Sequence, residues 1–320
     1  MDALSEMLRV IKLDSAIYLN GEFSEPWCLA SPDSRALAPM LSRQGGLVII
    51  YHLLWEGRAY LKMEDGRRVE LAAGDLITLP HGHGHILGSG AHVTAVDVSE
   101  ALPAVLSHGL ELVNLGGGGV CSRFICGFLV CDPQLSRAFL GGLPDFIRIS
   151  IRDDESGRWL ENTLKFSVLQ ASSGDEGAGA MLTRLSELLF AETLRRYLRQ
   201  LPEKQTGWLA AARDTEVGKA LTLLHQRPAH AWTLAELARG AGLSRTVLAE
   251  RFRHFLGEPP MTYLTRWRLR LGARALLSSS RSVAQIALDS GYESEAAFNR
   301  AFKREYGLPP SRYRKDRAVP

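Results

Sequence analysis

Cysteine is scarce in this sequence, four residues in 320. That is too few to staple a chain of this length, so a disulfide scaffold is excluded and the core must come from packing. No apolar run approaches the roughly 20 residues a membrane span requires. The opening residues Met1-Asp2-Ala3-Leu4-Ser5-Glu6 lack the basic segment and apolar stretch of a secretory signal. These two gaps predict a cytoplasmic chain with reduced thiols and no membrane partner. A phosphate-binding loop is missing too, because the glycines at 116–119 are not followed by Lys-Ser or Lys-Thr and read as a turn. An even spread of charge is also absent. The net charge is only +3, yet residues 201–320 hold 20 Lys+Arg against 11 Asp+Glu, while residues 1–200 hold 18 against 24. One basic region that faces phosphate and one acidic region that does not would give this split.

At 320 residues the chain is long enough for two domains, each able to bury a core. Its last third repeats itself. At an offset of 49, Thr233, Ala235, Leu237, Ala238 and Gly242 align with Ser282, Ala284, Ile286, Ala287 and Gly291. One extra residue, Glu293, shifts the offset to 50, and Ser244, Leu248, Phe252, Gly257, Pro259, Pro260 and Tyr263 align with Ser294, Phe298, Phe302, Gly307, Pro309, Pro310 and Tyr313. One structural unit is used twice. Thr233 with Glu236, and Ser282 with Gln285, have capping-box spacing and start a helix. Gly242 and Gly291 end it, since glycine takes the positive φ of a helix stop without strain. Ser244 and Ser294 cap a second helix. In it Leu248 and Phe252, or Phe298 and Phe302, face inward four residues apart and leave the residues beside that stripe pointing out. Each unit is a helix-turn-helix, and its outward residues are placed to read double-stranded DNA.

These residues resemble the DNA-binding domain of the AraC/XylS family of bacterial transcription regulators, the second unit over its whole length from Ser282 to Arg314. The resemblance implies a sequence-specific transcription regulator. It places Thr246, Ala249 and Glu250 in the first recognition helix, and Glu295, Ala296, Asn299 and Arg300 in the second, at base-facing positions. Arg245, Arg251, Arg253, Lys303 and Arg304 are left to hold phosphate. Thr and Ala suit a thymine methyl, Glu accepts from cytosine N4, Arg pairs with guanine and Asn with adenine. Homodimerisation and contact with RNA polymerase as an activator are further implications. Between the units, residues 261–278 read as a helix of about 27 Å. With the flanking domains it holds two recognition helices near the roughly 34 Å repeat of successive major grooves.

The first 200 residues have β character. Residues 48–54, 58–63, 68–71 and 76–79 are short apolar or alternating runs, with turns at Glu56-Gly57, Asp65-Gly66 and Ala73-Gly74-Asp75, which predicts a sandwich or small barrel. The segment from Gly74 to His85 resembles the second motif of the cupin barrel. The first motif is matched only at Gly46 and His52, with Leu54 at the next histidine position and no acidic residue following. A cupin enzyme needs about three protein ligands to hold its metal. The incomplete set weighs against the alternative reading, a cupin-type metalloenzyme carrying a DNA-binding appendage. It points instead to a pocket lined by His52 and His85 in which an effector, small molecule or oxidant, replaces catalysis; no cofactor is expected. His81, His83 and His85 alternate, and if extended they share one face and offer a weak metal site. Cys121, Cys126 and Cys131 lie five apart, which on a strand sets Cys126 opposite the other two. Cys126 is read either as a small buried hydrophobe or, beside Gly127, as an oxidant-sensing thiol.

The expected architecture is α+β in two domains. Residues 1–202 form a cupin-like β-barrel with helices, 203–212 a linker, and 213–320 an all-α domain of two helix-turn-helix units joined by a helix. Residues 155–172 read as helical, and a wide apolar stripe along 182–198 marks a second helix. The family resemblance favours a dimer contact through Leu185, Leu188, Leu189 and Glu192 on it. The other reading packs that stripe on its own barrel.

Overall fold

The computed structural model describes residues 2–10, 13–41, 47–91, 93–107, 110–131, 139–202 and 204–317; Gly46 of the first cupin motif and Glu203 of the linker lie outside the described residues. The chain divides into two compact units, one of Met1–Ile11 with Leu201–Pro320 and the other of Lys12–Gln200. The first helix, α1 (Ala3–Val10), thus belongs with the C-terminal unit and not with the barrel that follows it.

The unit of residues 12–200 is built from β1 (Leu13–Ser24), β2 (Trp27–Ser31), α2 (Ser34–Leu41), β3 (Leu47–Glu56), β4 (Arg58–Met63), β5 (Arg68–Ala72), β6 (Asp75–Leu79), β7 (His85–Ser89), β8 (Val96–Asp97), α3 (Val98–Ser107), β9 (Leu112–Gly116), β10 (Cys121–Cys131), β11 (Ile147–Ser150), α4 (Glu155–Ser172) and α5 (Ala178–Gln200). The strands form two sheets in the orders β11-β6-β3-β10-β1-β9 and β5-β4-β7-β2-β8. Pairing is antiparallel except for β1 with β9 and β2 with β8. Alternate residues of both sheets meet in one apolar cluster that includes Ile50, Leu54, Leu61, Leu87 and Phe124, the two-layer arrangement of a cupin barrel.

Strand β3 is buried on both faces. Val48, Ile50 and Leu54 join the inner cluster, while the other face lies under α5, where the Tyr51 hydroxyl is hydrogen-bonded to Ser186 Oγ at 2.6 Å. Gly127 lies opposite Tyr51 in the β10 register. A Cβ there would stand 2.1 Å from the Tyr51 hydroxyl, so only glycine leaves room for the ring. Leu182, Leu185, Leu189, Phe190 and Leu194 of α5 are all buried on the side that packs on β1, β6, β10 and β11. The wide stripe is therefore explained by its own sheet.

The other unit continues with α6 (Trp208–Arg213), α7 (Thr215–Gln226), α8 (Leu234–Ala241), α9 (Arg245–Leu256), α10 (Pro260–Ser278), α11 (Val283–Asp289), α12 (Glu295–Tyr306) and α13 (Pro310–Arg317). Helix α6 begins within the stretch 203–212 expected to be a linker and ends one residue past it, and its Trp208, Leu209, Ala210 and Ala211 are buried. Helix α1 packs on α6 and α7, with Ala3 and Met7 buried. The predicted caps form: the Thr233, Ser244, Ser282 and Ser294 side chains accept from the backbone three residues on, at 3.1–3.2 Å. The reciprocal half of the capping box does not form. Glu236 accepts instead from His230, and Gln285 donates to Asp289. Gly291 has φ +81°, and a Cβ there would come 2.7 Å from Ala229 Cα, so that turn is open to glycine alone.

Helix α10 belongs to both halves of this unit. Its Leu269, Ala273 and Leu276 pack with Ile286, Phe298, Phe302 and Tyr313 of the second half. Its Tyr263 and Trp267 stack with His225 of α7, the His225 ring lying 4.2 Å from that of Trp267 at 19°. Trp208 Nε1 donates to the Tyr263 hydroxyl at 2.8 Å, and that hydroxyl is hydrogen-bonded to His225 Nε2 at 2.7 Å. Burial, helped by Arg270, pushes the His225 pKa down to about 3.

The unfolded chain, with histidine near 6.5, binds this proton at pH values where the folded chain does not. Stability should therefore be complete above about pH 6.5 and fall as the pH drops toward 3, by up to about 1.4 kcal/mol per pH unit. Urea denaturation between pH 7.5 and 5 should show this loss in the wild-type chain and a shallower one in His225→Phe. Parallel pH profiles for the two proteins would show that the buried imidazole does not govern acid sensitivity.

Candidate nucleic-acid interface

Recognition begins with which side of each helix is spent on packing. Leu248 and Phe252 of α9, and Phe298, Ala301 and Phe302 of α12, are buried. The opposite side carries Arg245, Thr246, Glu250 and Arg253 on α9, with Ala249 half-buried among them, and Glu295, Ala296, Arg300, Lys303 and Arg304 on α12, with Asn299 half-buried. The two faces are equivalent under the 50-residue offset, Arg253 matching Lys303 and Glu250 matching Arg300. Arg253, Arg300 and Lys303 carry no ion pair among the described residues, so their charge is available to a polyanion.

Arg251 departs from the expectation of a phosphate contact. It lies on the flank of α9 toward α7, where it donates to Glu216 at 2.9 Å and also to Asp214, the residue that caps α7. Two carboxylates already neutralise it, and it locks α9 to the start of α7. Two further arginines escaped notice as positioning groups. Arg268 donates to the carbonyls of Pro228 and His230, both at 2.7 Å. Arg266 pairs with Glu258 at 2.8 Å and approaches Glu305 at 3.9 Å. Glu258 follows α9 and Glu305 lies near the end of α12, so Arg266 ties both recognition helices to α10.

In the barrel unit, the expected pocket residues meet, but as a closed chain. The His83 carbonyl can only accept, so His85 Nδ1 carries a proton and donates it at 3.0 Å. His85 Nε2 must then accept from His52 Nε2–H at 2.9 Å. His52 Nδ1, left bare, accepts the Cys126 thiol proton at 2.8 Å. All three side chains are buried and neutral. Burial beside His85 holds His52 well below the usual histidine range, burial brings His85 down to about 4, and burial pushes the Cys126 thiol up. His81 and His83 do not join them. Gly82, at φ +64°, breaks the extended run. His81 Nε2 donates to the Leu143 carbonyl at 2.9 Å, and His83 lies 3.3 Å from Asp145. Cys121 is exposed and Cys131 buried. Leu54, at the next cupin ligand position, is fully buried in the apolar cluster.

Of the four residues expected at a dimer contact, Leu185 and Leu189 face the sheet, and Glu192 is paired with Arg195 and Arg196. Leu188 is exposed, together with Met181 on α5 and Trp159, Phe166 and Leu169 on α4, Trp159 the most so at 61%.

Comparison with known proteins agrees with both units. The family model described as Cupin matches residues 2–199, and that described as Helix-turn-helix domain matches residues 237–316. The chain is 30% identical over 318 residues to the HTH-type transcriptional regulator AlkR of Acinetobacter baylyi, covering 98% of this chain and 99% of that protein. Identity is again 30% over 318 residues, with the same coverage, to a putative AraC-like transcription regulator of Streptomyces antibioticus. Among solved structures, the DNA-binding domain of AdpA in complex with a target DNA matches 32% of this chain and 92% of its own length at 27% identity, with a TM-score of 0.31.

The two arginines of α9 should separate in DNA-binding measurements across a salt series. Arg253→Ala should reduce the slope of log affinity against log salt by about 0.9, the equivalent of one phosphate. Arg251→Ala should leave that slope unchanged and lower the urea midpoint, because Asp214 and Glu216 lose their partner. An equal loss of slope in both variants would mean that Arg251 leaves its carboxylates for the DNA.

Proposed function

The chain belongs to the AraC family of transcriptional regulators, and we propose that it reads two successive major grooves with α9 and α12 under control of an effector and of a second copy acting through the barrel unit. DNA binding and transcription regulation are common to the family. The observation that carries the finer reading is α10, one unbroken helix of 19 residues, or about 28 Å, packed into both halves. With recognition helices on either side of it, that length suits the roughly 34 Å groove repeat. Arg300 and Asn299 are the residues proposed for guanine and adenine, Glu250 for cytosine, Thr246 for a thymine methyl, and Arg245, Arg253, Lys303 and Arg304 for phosphate.

A homodimer through α4 and α5 is part of the proposal. Five large apolar side chains on these two helices, Trp159, Phe166, Leu169, Met181 and Leu188, are exposed, and a patch of that kind favours burial against a partner. The signal is proposed to be a bound species and not oxidation of Cys126, since a buried thiol kept protonated reacts slowly. The reading as a regulator and not an enzyme is supported by Leu54, which occupies a cupin ligand position as part of the packed core.

Selection from a pool of random duplexes tests the DNA reading. Arg300→Ala should lose discrimination at one or two base pairs, each worth about 1–3 kcal/mol, whereas Lys303→Ala should weaken all sequences alike. A uniform loss for Arg300→Ala would reassign it to phosphate, and a folded wild-type chain that enriches no sequence at low salt would end the proposal. Sedimentation tests the dimer: Phe166→Glu should shift the protein to monomer, and an undiminished dimer would place the contact elsewhere.

A further inference from the structure

The two halves of the C-terminal unit can be compared position by position. Gly242 and Gly291 end the first helix of each helix-turn-helix with nearly the same positive φ, +78° and +81°. A Cβ added at Gly242 would meet nothing within 4 Å, whereas at Gly291 it would stand 2.7 Å from Ala229 Cα and 3.0 Å from the guanidinium carbon of Arg268. The helix stop is common to both turns. The crowding is not, and it comes from the first half: the Gly291 turn abuts the loop, residues 227–232, that joins α7 to α8.

Each side of this contact is tied into its own half. In the loop, Trp232 Nε1 donates to the Arg227 carbonyl at 3.0 Å, and the Arg227 guanidinium lies over the Trp232 ring at 4.8 Å. His230 donates to Glu236 of α8 at 2.7 Å. On the other side, Tyr292 follows Gly291 and sets its ring against Phe298 of α12, with centroids 5.3 Å apart. Arg268 enters from α10 and is half-buried. Its Nε donates to the Pro228 carbonyl and its Nη2 to the His230 carbonyl, both at 2.7 Å. The rigid fork of the guanidinium thus grips the loop on either side of Ala229, the residue on which Gly291 rests.

We propose that Arg268 is a positioning residue that fixes which spacing of two DNA segments the chain reads. This rests on the reading of α9 and α12 in successive major grooves. Neighbouring base pairs differ by about 3.4 Å along the duplex and about 34° around it. A second segment displaced by one base pair therefore meets α12 only if the second half moves on α10 by that amount. Any such movement must open or compress the contact of Gly291 with Ala229, and the loop cannot follow while Arg268 holds two of its carbonyls. Without that grip the loop yields, the halves gain play and spacing is read loosely, although neither recognition face has changed.

The test uses the full chain and the duplex it enriches from a random pool, with one base pair inserted or deleted between the two segments it covers. For the wild type either change should cost at least about 30-fold in affinity, the equivalent of two base contacts at about 1 kcal/mol each. In Arg268→Lys, which keeps the charge and loses the fork, that penalty should fall to about fivefold or less, the equivalent of one contact, with the preferred bases in each segment unchanged. Gly291→Ala should relax or shift the preferred spacing, whereas Gly242→Ala, equally strained in φ but facing open space, should not. Arg268→Gln should keep the wild-type slope of log affinity against log salt. A slope lower by about 0.9, one phosphate, would make Arg268 a DNA contact and overturn the assignment. So would a full spacing penalty in Arg268→Lys, equal weakening at every spacing, or identical behaviour of the two glycine variants. These outcomes leave the two-groove reading standing; a wild-type chain indifferent to spacing would overturn both.

Discussion

Trp267 and Leu269 stand two residues apart on α10 and serve different halves of the C-terminal unit, one in the aromatic stack with His225 and the other in the cluster around Phe298 and Phe302. Because a helix has no soft internal joint, this shared burial converts two helix-turn-helix units into one body with a set spacing. Pro259 and Pro260 start the helix where proline is tolerated, at its first turn. Arg266 lies between Glu258, with which it pairs at 2.8 Å, and Glu305, 3.9 Å away. Caps, glycine stops and inward phenylalanines place each recognition helix within its half. Helix α10, with the close approach of the Gly291 turn to Ala229, places the halves relative to each other.

The barrel depends on an opposite kind of constraint. A fully apolar interior would be easier to keep dry, yet His52, His85 and Cys126 sit in it as a hydrogen-bonded chain that admits one assignment of protons. Each member satisfies the next, which is what lets polar groups survive there. The two strands that hold His52 and Cys126 present Tyr51 and Gly127 to α5 on their other face. Interior and helix are thus separated by the thickness of a single sheet.

What could be read from the sequence was local. A hydroxyl before a helix, a glycine after it and apolar residues at i and i+4 each state their geometry within a few positions, and the doubled pattern made the two helix-turn-helix units legible. Partners distant in sequence were not legible. Arg251 looked like other surface arginines of α9 because its carboxylates, Asp214 and Glu216, lie more than 30 residues earlier. The stripe on α5 announced a buried face without naming what buries it. The alternation of His81, His83 and His85 held meaning only for a strand, and Gly82 turns the chain there. One missed element did leave a signal: Trp208-Leu209-Ala210-Ala211-Ala212 is too apolar for an exposed linker, and it forms α6.

Helix α1 has a consequence for the order in which the molecule is made. It is synthesised some 200 residues before α7, the helix it packs on. At roughly 5–20 residues per second it waits on the order of ten seconds or more while the intervening barrel emerges and folds. Ala3 and Met7 therefore enter their final surroundings only after the barrel is complete, and the DNA-binding unit closes last, from both ends of the chain. A nascent protein with a finished barrel unit has no finished DNA-binding unit.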